Sequence, residues 1–451
     1  MNPMSILRQP ASITKLNNRI TLKDSYMTRI PSDKKLLLTS WLICGVGALY
    51  YCYEYFLRIC PSVMTPELMR VYGLTGAQVG NLSAFYYHAY MPMQILVGLL
   101  MDRFAPRRLL TIACFLCAIG TYLFAGTSSL AMAEAGRFLV GFGSAFAFVG
   151  ALKLATIWLS PNRFALISGI IMCLGMTGAM MGDVLLRSLV DDIGWQQTIY
   201  LSAAAGLILT AIIWSIIRDV NPNHTAIAHH QLNFGKLLTE LLAALKNPQI
   251  WLNGMVGFLL YMSLSAFAEL WGIPYLEQAQ GLSKVHAAHA NSMVFLGWAI
   301  GAPIWGWFSD FINRRRLPII IGCIGALGWV TVLLYVPHLS IKTIYFSLFA
   351  FGLFSSAQIL VFAICHEATQ HKIAGTAIAL TNMIVMIGGN IFQPFIGKLL
   401  DLGWKGELLQ GARVYSIHDY QTSLSVLPMS IIIAFVLMSF IRETHYKIKK
   451  D

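Results

Sequence analysis

The chain has 451 residues, of which 57% are hydrophobic and only 12% charged, with a formal net charge of +12. Soluble domains are about half apolar and about a quarter charged, so this composition excludes an ordinary water-soluble globule. Uncharged runs of about 20 residues recur along the chain, the length that a helix needs to cross a bilayer core. Backbone amides in lipid must bond internally, so such runs are helices or a closed barrel. The short alternation of barrel strands is missing, which leaves an all-α membrane protein.

Residues 1–35 are polar and basic (Arg8, Lys15, Arg19, Lys23, Arg29, Lys34, Lys35) and lack the apolar core and cleavage site of a secretory signal. They are read as a cytoplasmic tail. Twelve spans are predicted: 36–60, 76–100, 109–126, 130–154, 164–189 and 196–217, then 248–276, 289–309, 317–337, 341–366, 374–399 and 421–441. They fall into an N-terminal six-helix half, 36–217, and a C-terminal half, 248–441. Between them, 218–247 is a cytoplasmic linker. It holds His224, His229 and His230, then an amphipathic run from Leu232 to Leu245 with Lys236, Glu240 and Lys246 on its other side. That pattern predicts a helix lying on the membrane surface. The three histidines have no carboxylate or thiol at ligand spacing, so they are read as solvated. Residues 442–451 form a second basic tail.

The eight cysteines (Cys44, Cys52, Cys60, Cys114, Cys117, Cys173, Cys323, Cys365) lie in or at the apolar runs. Cys114 and Cys117 have CxxC spacing, but inside a span they read as small packing residues. Most Lys and Arg lie in the tails and in the loops that follow even-numbered spans, including Arg103, Arg163, Arg314, Lys372 and Arg442. The positive-inside rule places both termini in the cytoplasm. The net charge is therefore topology, and no nucleic-acid partner is expected.

The two halves repeat a loop. Gly98, Asp102, Arg107 and Arg108 after span 2 recur at the same spacing as Gly306, Asp310, Arg315 and Arg316 after span 8. Such parallel repeats belong to carriers whose halves rock against one another. Glycine allows close helix approach, aspartate suits a helix N-terminus, and arginine pairs with carboxylates. A cluster of this kind can hold a gate shut; single arginines here serve equally as membrane anchors.

With these features the chain resembles the major facilitator superfamily over about residues 36–441. Gly98 to Arg108 looks like its best-known motif, with Ala105-Pro106 where a glycine is usual. Arg137-Phe-Leu-Val-Gly141-Phe-Gly143, the glycines Gly169, Gly175, Gly178 and Gly182, and Asn390-Ile-Phe-Gln393-Pro394-Phe-Ile-Gly397 are similar to its fourth, fifth and eleventh helices. The resemblance implies a twelve-helix fold of two repeats in a bacterial inner membrane, working by alternating access. Tyr55 to Pro66 is also similar to the first helix of organic-anion symporters, in which an arginine eight residues before a proline faces the solute. Arg58 matches that arginine. Leu57 and Ser144 stand where those proteins carry acidic residues, so proton coupling does not follow from this likeness. Tyr86 to Asp102 and Leu270 to Leu276 look like bacterial carriers of amino acids or small peptides.

Charges inside spans cost about 2.5–3.5 kcal/mol at a helix centre, so they tend to face a cavity. Gly47, Tyr51, Glu54 and Arg58 share one face of span 1, with Glu54 and Arg58 placed to pair. Arginine's planar fork suits a carboxylate. The alternative is a pair near the interface that snorkels or locks two helices. Tyr51, Glu54, Arg58, Tyr87, Glu269, Gln358 and Asn390 are the solute-binding candidates, with Asn382 and Gln393 as weaker cavity linings. Glu54, Glu269 and His88 are the candidates for proton coupling. For His88 a packing role competes, and for the tyrosines Tyr86, Tyr87 and Tyr90 an aromatic belt. Arg137 is expected to be structural or gating, and Lys153 to snorkel. No metal, cofactor, phosphate loop or hydrolase motif is found, so no enzyme is expected. The expectation is a secondary transporter of a small carboxylate or zwitterion: an amino acid, a small peptide or an organic acid. It is symported with protons or moved without coupling, and one chain suffices as a monomer. The alternatives are an uncoupled facilitator of a neutral sugar-like solute and a non-transporting sensor on the same helices.

Overall fold

The computed structural model describes residues 34–126, 129–160, 163–220, 234–369 and 374–444. The tail 1–33, the three linker histidines and Lys372 lie outside the described residues.

The twelve predicted spans all form helices. In the first half they are α1 (Lys34–Arg58), α4 (Gly76–Arg103), α5 (Pro106–Ala125), α6 (Leu130–Trp158), α7 (Phe164–Ile193) and α8 (Trp195–Ile216). Two short helices, α2 (Cys60–Val63) and α3 (Thr65–Tyr72), follow α1, because Pro61 has no amide hydrogen to continue it. Gly73 ends α3 at φ +64°, and a capping box of Thr75 and Gln78 starts α4.

After the linker helix α9 (Phe234–Leu245), the seventh span is discontinuous. It runs through α10 (Pro248–Met262), a π-helical segment (Ser263–Trp271) and α11 (Gly272–Gln278). The remaining spans are α12 (Lys284–Ile312), α13 (Arg316–Tyr335), α14 (Ile341–Ser355) continued through a 3-10 turn (Ser356–Ile359) into α15 (Leu360–Ala368), α16 (Ala374–Gly403), and α17 (Ile417–Leu424) with α18 (Val426–Met438). A two-stranded hairpin, β1 (Leu408–Leu409) and β2 (Ala412–Arg413), precedes α17; the sequence reading has no strand there.

Among the described residues, ten spans are long and apolar enough to cross a membrane by length and composition. The other two spans, α4 and α12, carry more polar residues, among them Asn81, His88 and Gln94 on α4 and His286, His289 and Asn291 on α12. The outer surface is apolar, with Ile208 at 64%, Phe346 at 55% and Phe440 at 65% exposure. Large side chains exposed in this number suit hydrocarbon rather than water. The charges go the other way: Glu54, Arg58, Arg137, Asp183, Arg187 and Glu269 are all buried.

Within the first half α7 lies tightly on α1, since Gly178 meets the Cys52 carbonyl with no room for a β-carbon. Two seams join the halves, α4 with α16 and α7 with α12. At the face opposite the basic loops, the first is closed by Gly76 against Gly397. There Asp401 accepts from the Gly76 and Ala77 amides, both at 2.8 Å, a carboxylate on the N-terminus of α4. Arg413 at 2.9 Å and the Tyr415 hydroxyl at 2.7 Å hold Asp401 in place. Burial, then the Asp401 carboxylate, pushes the Tyr415 phenol well above its usual range, so it stays a donor.

The linker helix α9 rests on α16. Ala244 is buried, Glu240 accepts from Thr376 at 3.1 Å, and Leu238 and Leu242 stay exposed. All described cysteines except Cys173 are buried, and Cys114 and Cys117 pack as apolar residues.

Candidate functional site

Arg58 is the last residue of α1, placed where the chain must break before Pro61. That break leaves carbonyls of the last turn without helical partners. Arg137 of α6 takes them, donating to the Leu57 and Arg58 carbonyls at 2.9 and 3.1 Å. A cation at a helix C-terminus is electrostatically favoured. Arg137 thereby ties down the end of α1 that carries Arg58.

The Arg58 side chain is 1% exposed. Its Nε and Nη2 donate to Glu54 Oε1 at 2.9 and 2.6 Å. Nε also reaches the Tyr86 hydroxyl at 3.1 Å, and Nη1 the Tyr261 hydroxyl at 3.1 Å. The guanidinium lies over the Tyr55 ring at 4.3 Å and the Tyr90 ring at 5.0 Å, within cation–π range. Tyr86 donates to Glu54 as well.

Glu269, on the π-helical segment, is the second half's carboxylate, beside its Tyr261. Its Oε1 stands 3.7 Å from Arg58 Nη1, and Tyr87 donates to its Oε2. Gly389 of α16 packs on the Tyr87 ring. Two buried carboxylates thus face one guanidinium, while Arg137 is committed to carbonyls. Glu54 Oε2 and Glu269 Oε1 have no hydrogen-bond partner among the described residues. A π segment is often found at functional sites. Here Tyr261, just before it, and Glu269, within it, meet Arg58 together.

The other candidates fall at varied distances from this centre. Tyr51 sits one turn earlier on α1, packed on Phe148 and Met172, edge-on to Tyr55 at 5.2 Å. Gln358 is buried in the 3-10 turn of the tenth span, and among the described residues its Nε2 and the Oδ1 of Asn390 on α16 have no partner. Asn382 bridges the α4–α16 seam to Gln94 at 2.8 Å. Gln393 donates to the Ser265 carbonyl of the π segment at 2.6 Å. His88 does not join the cluster. It is exposed, with its ring beside Phe85 at 5.0 Å, because it lies about 200° around the helix from Tyr86.

The duplicated loops differ from expectation. A β-carbon at Gly98 or Gly306 would meet nothing within 4 Å, so neither glycine mediates a close approach here. Asp102 does not cap a helix but pairs with Lys153 at 2.7 Å, and Lys153 is thereby more than a snorkelling residue. The α5 N-terminus is capped by Asp219, which accepts from the Arg107 amide at 2.8 Å. In the second half Glu443 does the same for the Arg315 and Arg316 amides, at 2.6 and 3.2 Å. Each half therefore uses the residue just past its sixth helix to cap its third.

The side chains of these loops also stay local. Arg107 lies over Trp214 at 4.0 Å and donates to its carbonyl. Arg315 joins Asp310 and Glu367, the latter at 2.7 Å. Arg316 donates to the Ser439 carbonyl at 3.3 Å, and Arg108 is exposed. Among the described residues, none of these ion pairs crosses between halves.

Comparison with known proteins fits this architecture. Residues 32–401 match the Major Facilitator Superfamily. The chain belongs to that family. It is 24% identical to the probable sulfoacetate transporter SauU of Cupriavidus necator, over 82% of this chain and 89% of that protein. It is 25% identical to the membrane sensor protein UhpC of Salmonella typhimurium, over 98% and 99%. The probable galactarate/D-glucarate transporter GudP of Escherichia coli is 22% identical over 83% and 90%. Among solved structures, an inward-facing, unoccupied bacterial homologue of the human lysosomal transporter Spinster aligns with TM-score 0.70 at 17% identity, covering 89% of this chain and 95% of that one. A point mutant of the nucleoside transporter NupG aligns with TM-score 0.68 at 16% identity, covering 88% and 100%. This superfamily member is a multi-pass integral membrane protein of transporter type, and its fold and relatives are not those of enzymes.

Proposed function

We propose that this chain is a secondary transporter that moves a small carboxylate or zwitterionic solute (an amino acid, a small peptide or an organic acid) between its halves by alternating access. The observation that carries the reading is Arg58, buried between Glu54 of its own half and Glu269 of the other. A carboxylate that reaches the guanidinium replaces one of these two partners, and the displaced glutamate becomes free to take a proton. That exchange links solute to proton without a further group. Tyr55, Tyr86, Tyr90 and Tyr261 supply walls with polar tips suited to an amphiphilic solute. The solutes named for relatives support an anion: sulfoacetate, galactarate/D-glucarate and, for a Chlamydia pneumoniae protein, hexose phosphate.

In this reading the halves are 36–217 and 248–441, joined by the linker 218–247. The basic loops and both termini face the cytoplasm of a bacterial cell, and a monomer is sufficient. The Gly98 and Gly306 loops then belong to the inner gate, which stands open while the Asp401 seam is shut.

Uptake into proteoliposomes, paired with thermal-shift assays of the purified chain, tests this. Carboxylates should be transported and should raise the melting temperature, since a ligand stabilises by RT ln(1 + [L]/Kd). Both effects should vanish in Arg58→Ala. Equal shifts by a neutral sugar in both proteins would overturn it. A second reading, a sensor, is favoured by the match to UhpC over nearly the whole chain; solute binding without any flux would select it.

A further inference from the structure

The α7–α12 seam carries a buried carboxylate that the solute site does not use. Asp183 of α7 is 0% exposed. Asn291 of α12 donates to its Oδ2 at 2.7 Å, and through the same nitrogen to the Ala268 carbonyl at 2.8 Å. Asp183 Oδ1 and Asn291 Oδ1 are both without a partner among the described residues. The Ser62 hydroxyl lies beside Asp183 but donates to the Ile59 carbonyl at 2.9 Å.

The charged groups on the surrounding elements are engaged elsewhere. Arg187, one turn on along α7, donates to the Val63 carbonyl and pairs with Asp191 at 2.6 Å and Glu67 of α3 at 3.5 Å. Lys284 at the start of α12 pairs with Glu67 at 3.6 Å, and Glu277 of α11 stands in the same group. His286 contacts Ser283, and His289 the Val285 carbonyl. Glu54 and Arg58 of α1 pair with each other, Tyr87 holds Glu269, and Cys60 of α2 donates to the Phe56 carbonyl. Among the described residues no cation pairs with Asp183.

A buried carboxylate with only neutral donors beside it is costly, and the group avoids the cost by taking a proton. We propose that Asp183 is a proton-binding site that latches the face opposite the basic loops. With the seam shut, Asp183 is the neutral acid, its Oδ2 accepting from Asn291 and its proton on Oδ1. Separation of α7 from α12 breaks that bond and admits water, and the acid gives its proton to solvent on that face. Asn291 lies seven residues into α12, about 10 Å from its start at 1.5 Å per residue, so the proton returns to the side from which it came. The site therefore tunes how often that face opens and does not itself carry protons across. This inference rests on the alternating-access reading for the existence of an open state.

The test needs no solute. Spin labels at Val71→Cys on α3 and Val285→Cys on α12, both exposed, report the distance between halves by electron–electron resonance. Cys173→Ser removes the exposed native thiol. Between pH 5 and pH 9 the open-to-closed ratio should rise with pH, by up to about tenfold per unit for a single proton. Asp183→Asn keeps the bond to Asn291 and should hold the face closed at every pH. If that variant does not fold, the exchange Asp183→Asn with Asn291→Asp, which moves the acid to the other half, should restore the wild-type slope. An unchanged slope in Asp183→Asn, or a flat exchange variant, overturns the latch. A wild-type chain that opens without pH dependence also overturns it and leaves the transport reading standing. A chain that never opens at that face, with or without carboxylates, overturns both.

Discussion

Glu54 Oε1 lies 2.6 Å from Arg58 Nη2 on the same helix, whereas Glu269 Oε1 on the other half of the chain lies 3.7 Å from Arg58 Nη1. Of its two carboxylates the guanidinium holds the one on its own half closely and the one on the other half more loosely, with the Tyr261 hydroxyl at 3.1 Å as the second half's hydrogen bond. On the proposed reading, the looser carboxylate is the one that a solute carboxylate would displace first.

Arg58→Ala leaves two buried carboxylates without their cation. Removing one partner of a buried pair costs about 3–5 kcal/mol, and denaturant or thermal unfolding should show a loss of that size. Arg58→Lys keeps the charge but not the fork. It should fold near normally and bind carboxylates at least tenfold more weakly, in line with about 1.5–3 kcal/mol for a charged hydrogen bond.

Glu269→Gln removes the competitor for the Arg58 Nη1 side. Carboxylate affinity, read by calorimetry, should rise several-fold, and its pH dependence should flatten if Glu269 takes the displaced proton. Unaltered affinity in both Glu269→Gln and Glu54→Gln would separate the carboxylates from solute binding.

The glycines divide into two classes. Gly178→Val drives a side chain into the Cys52 carbonyl, and overpacking of this kind costs about 1–3 kcal/mol or more. Gly98→Ala and Gly306→Ala place a methyl in open space, so the melting temperature should move by less than about 1 °C. Reduced flux in these two variants at unaltered stability would show that the basic face closes on those glycines during the cycle.

Asp219→Asn and Glu443→Gln remove the charges on the N-termini of α5 and α13. Each should lower stability by about 0.3–1 kcal/mol at low salt, with the two losses additive because the caps serve separate halves. Unfolding at low and high ionic strength checks both the size and the screening.

Much of the fold was legible because lipid imposes one rule, a helix of about 20 apolar residues, on every span. Glu54 and Arg58 were legible for a local reason, their i, i+4 spacing on one helix face. What escaped depends on contacts between distant segments. Tyr261 and Glu269, eight residues apart, share one face of the seventh span, but nothing in that span's own pattern shows that this face meets Arg58 of the other half. Asp183 and Asn291 meet across a seam that no periodicity encodes. At the repeated loops the residue types pointed to a helix cap, but the capping carboxylates are Asp219 and Glu443, far along the chain. His88 was named for its near-neutral titration, which says nothing of direction, and the helix turns it about 200° away from Tyr86. The hairpin at Leu408–Arg413 is simply too short for a strand pattern.

The two ends of the molecule are fastened differently. At the basic loops the ion pairs stiffen each half internally, while the opposite end is held across the halves by Asp401 on two amides, by the Asp183–Asn291 bond, by the Lys284–Glu67 pair and by a few glycine contacts. Reversing a two-state balance from 1:99 to 99:1 takes about 5.5 kcal/mol. On the proposed cycle, a handful of bonds of about 0.5–3 kcal/mol each sums to the same scale. The grip of a single small solute is then enough to turn the whole bundle over.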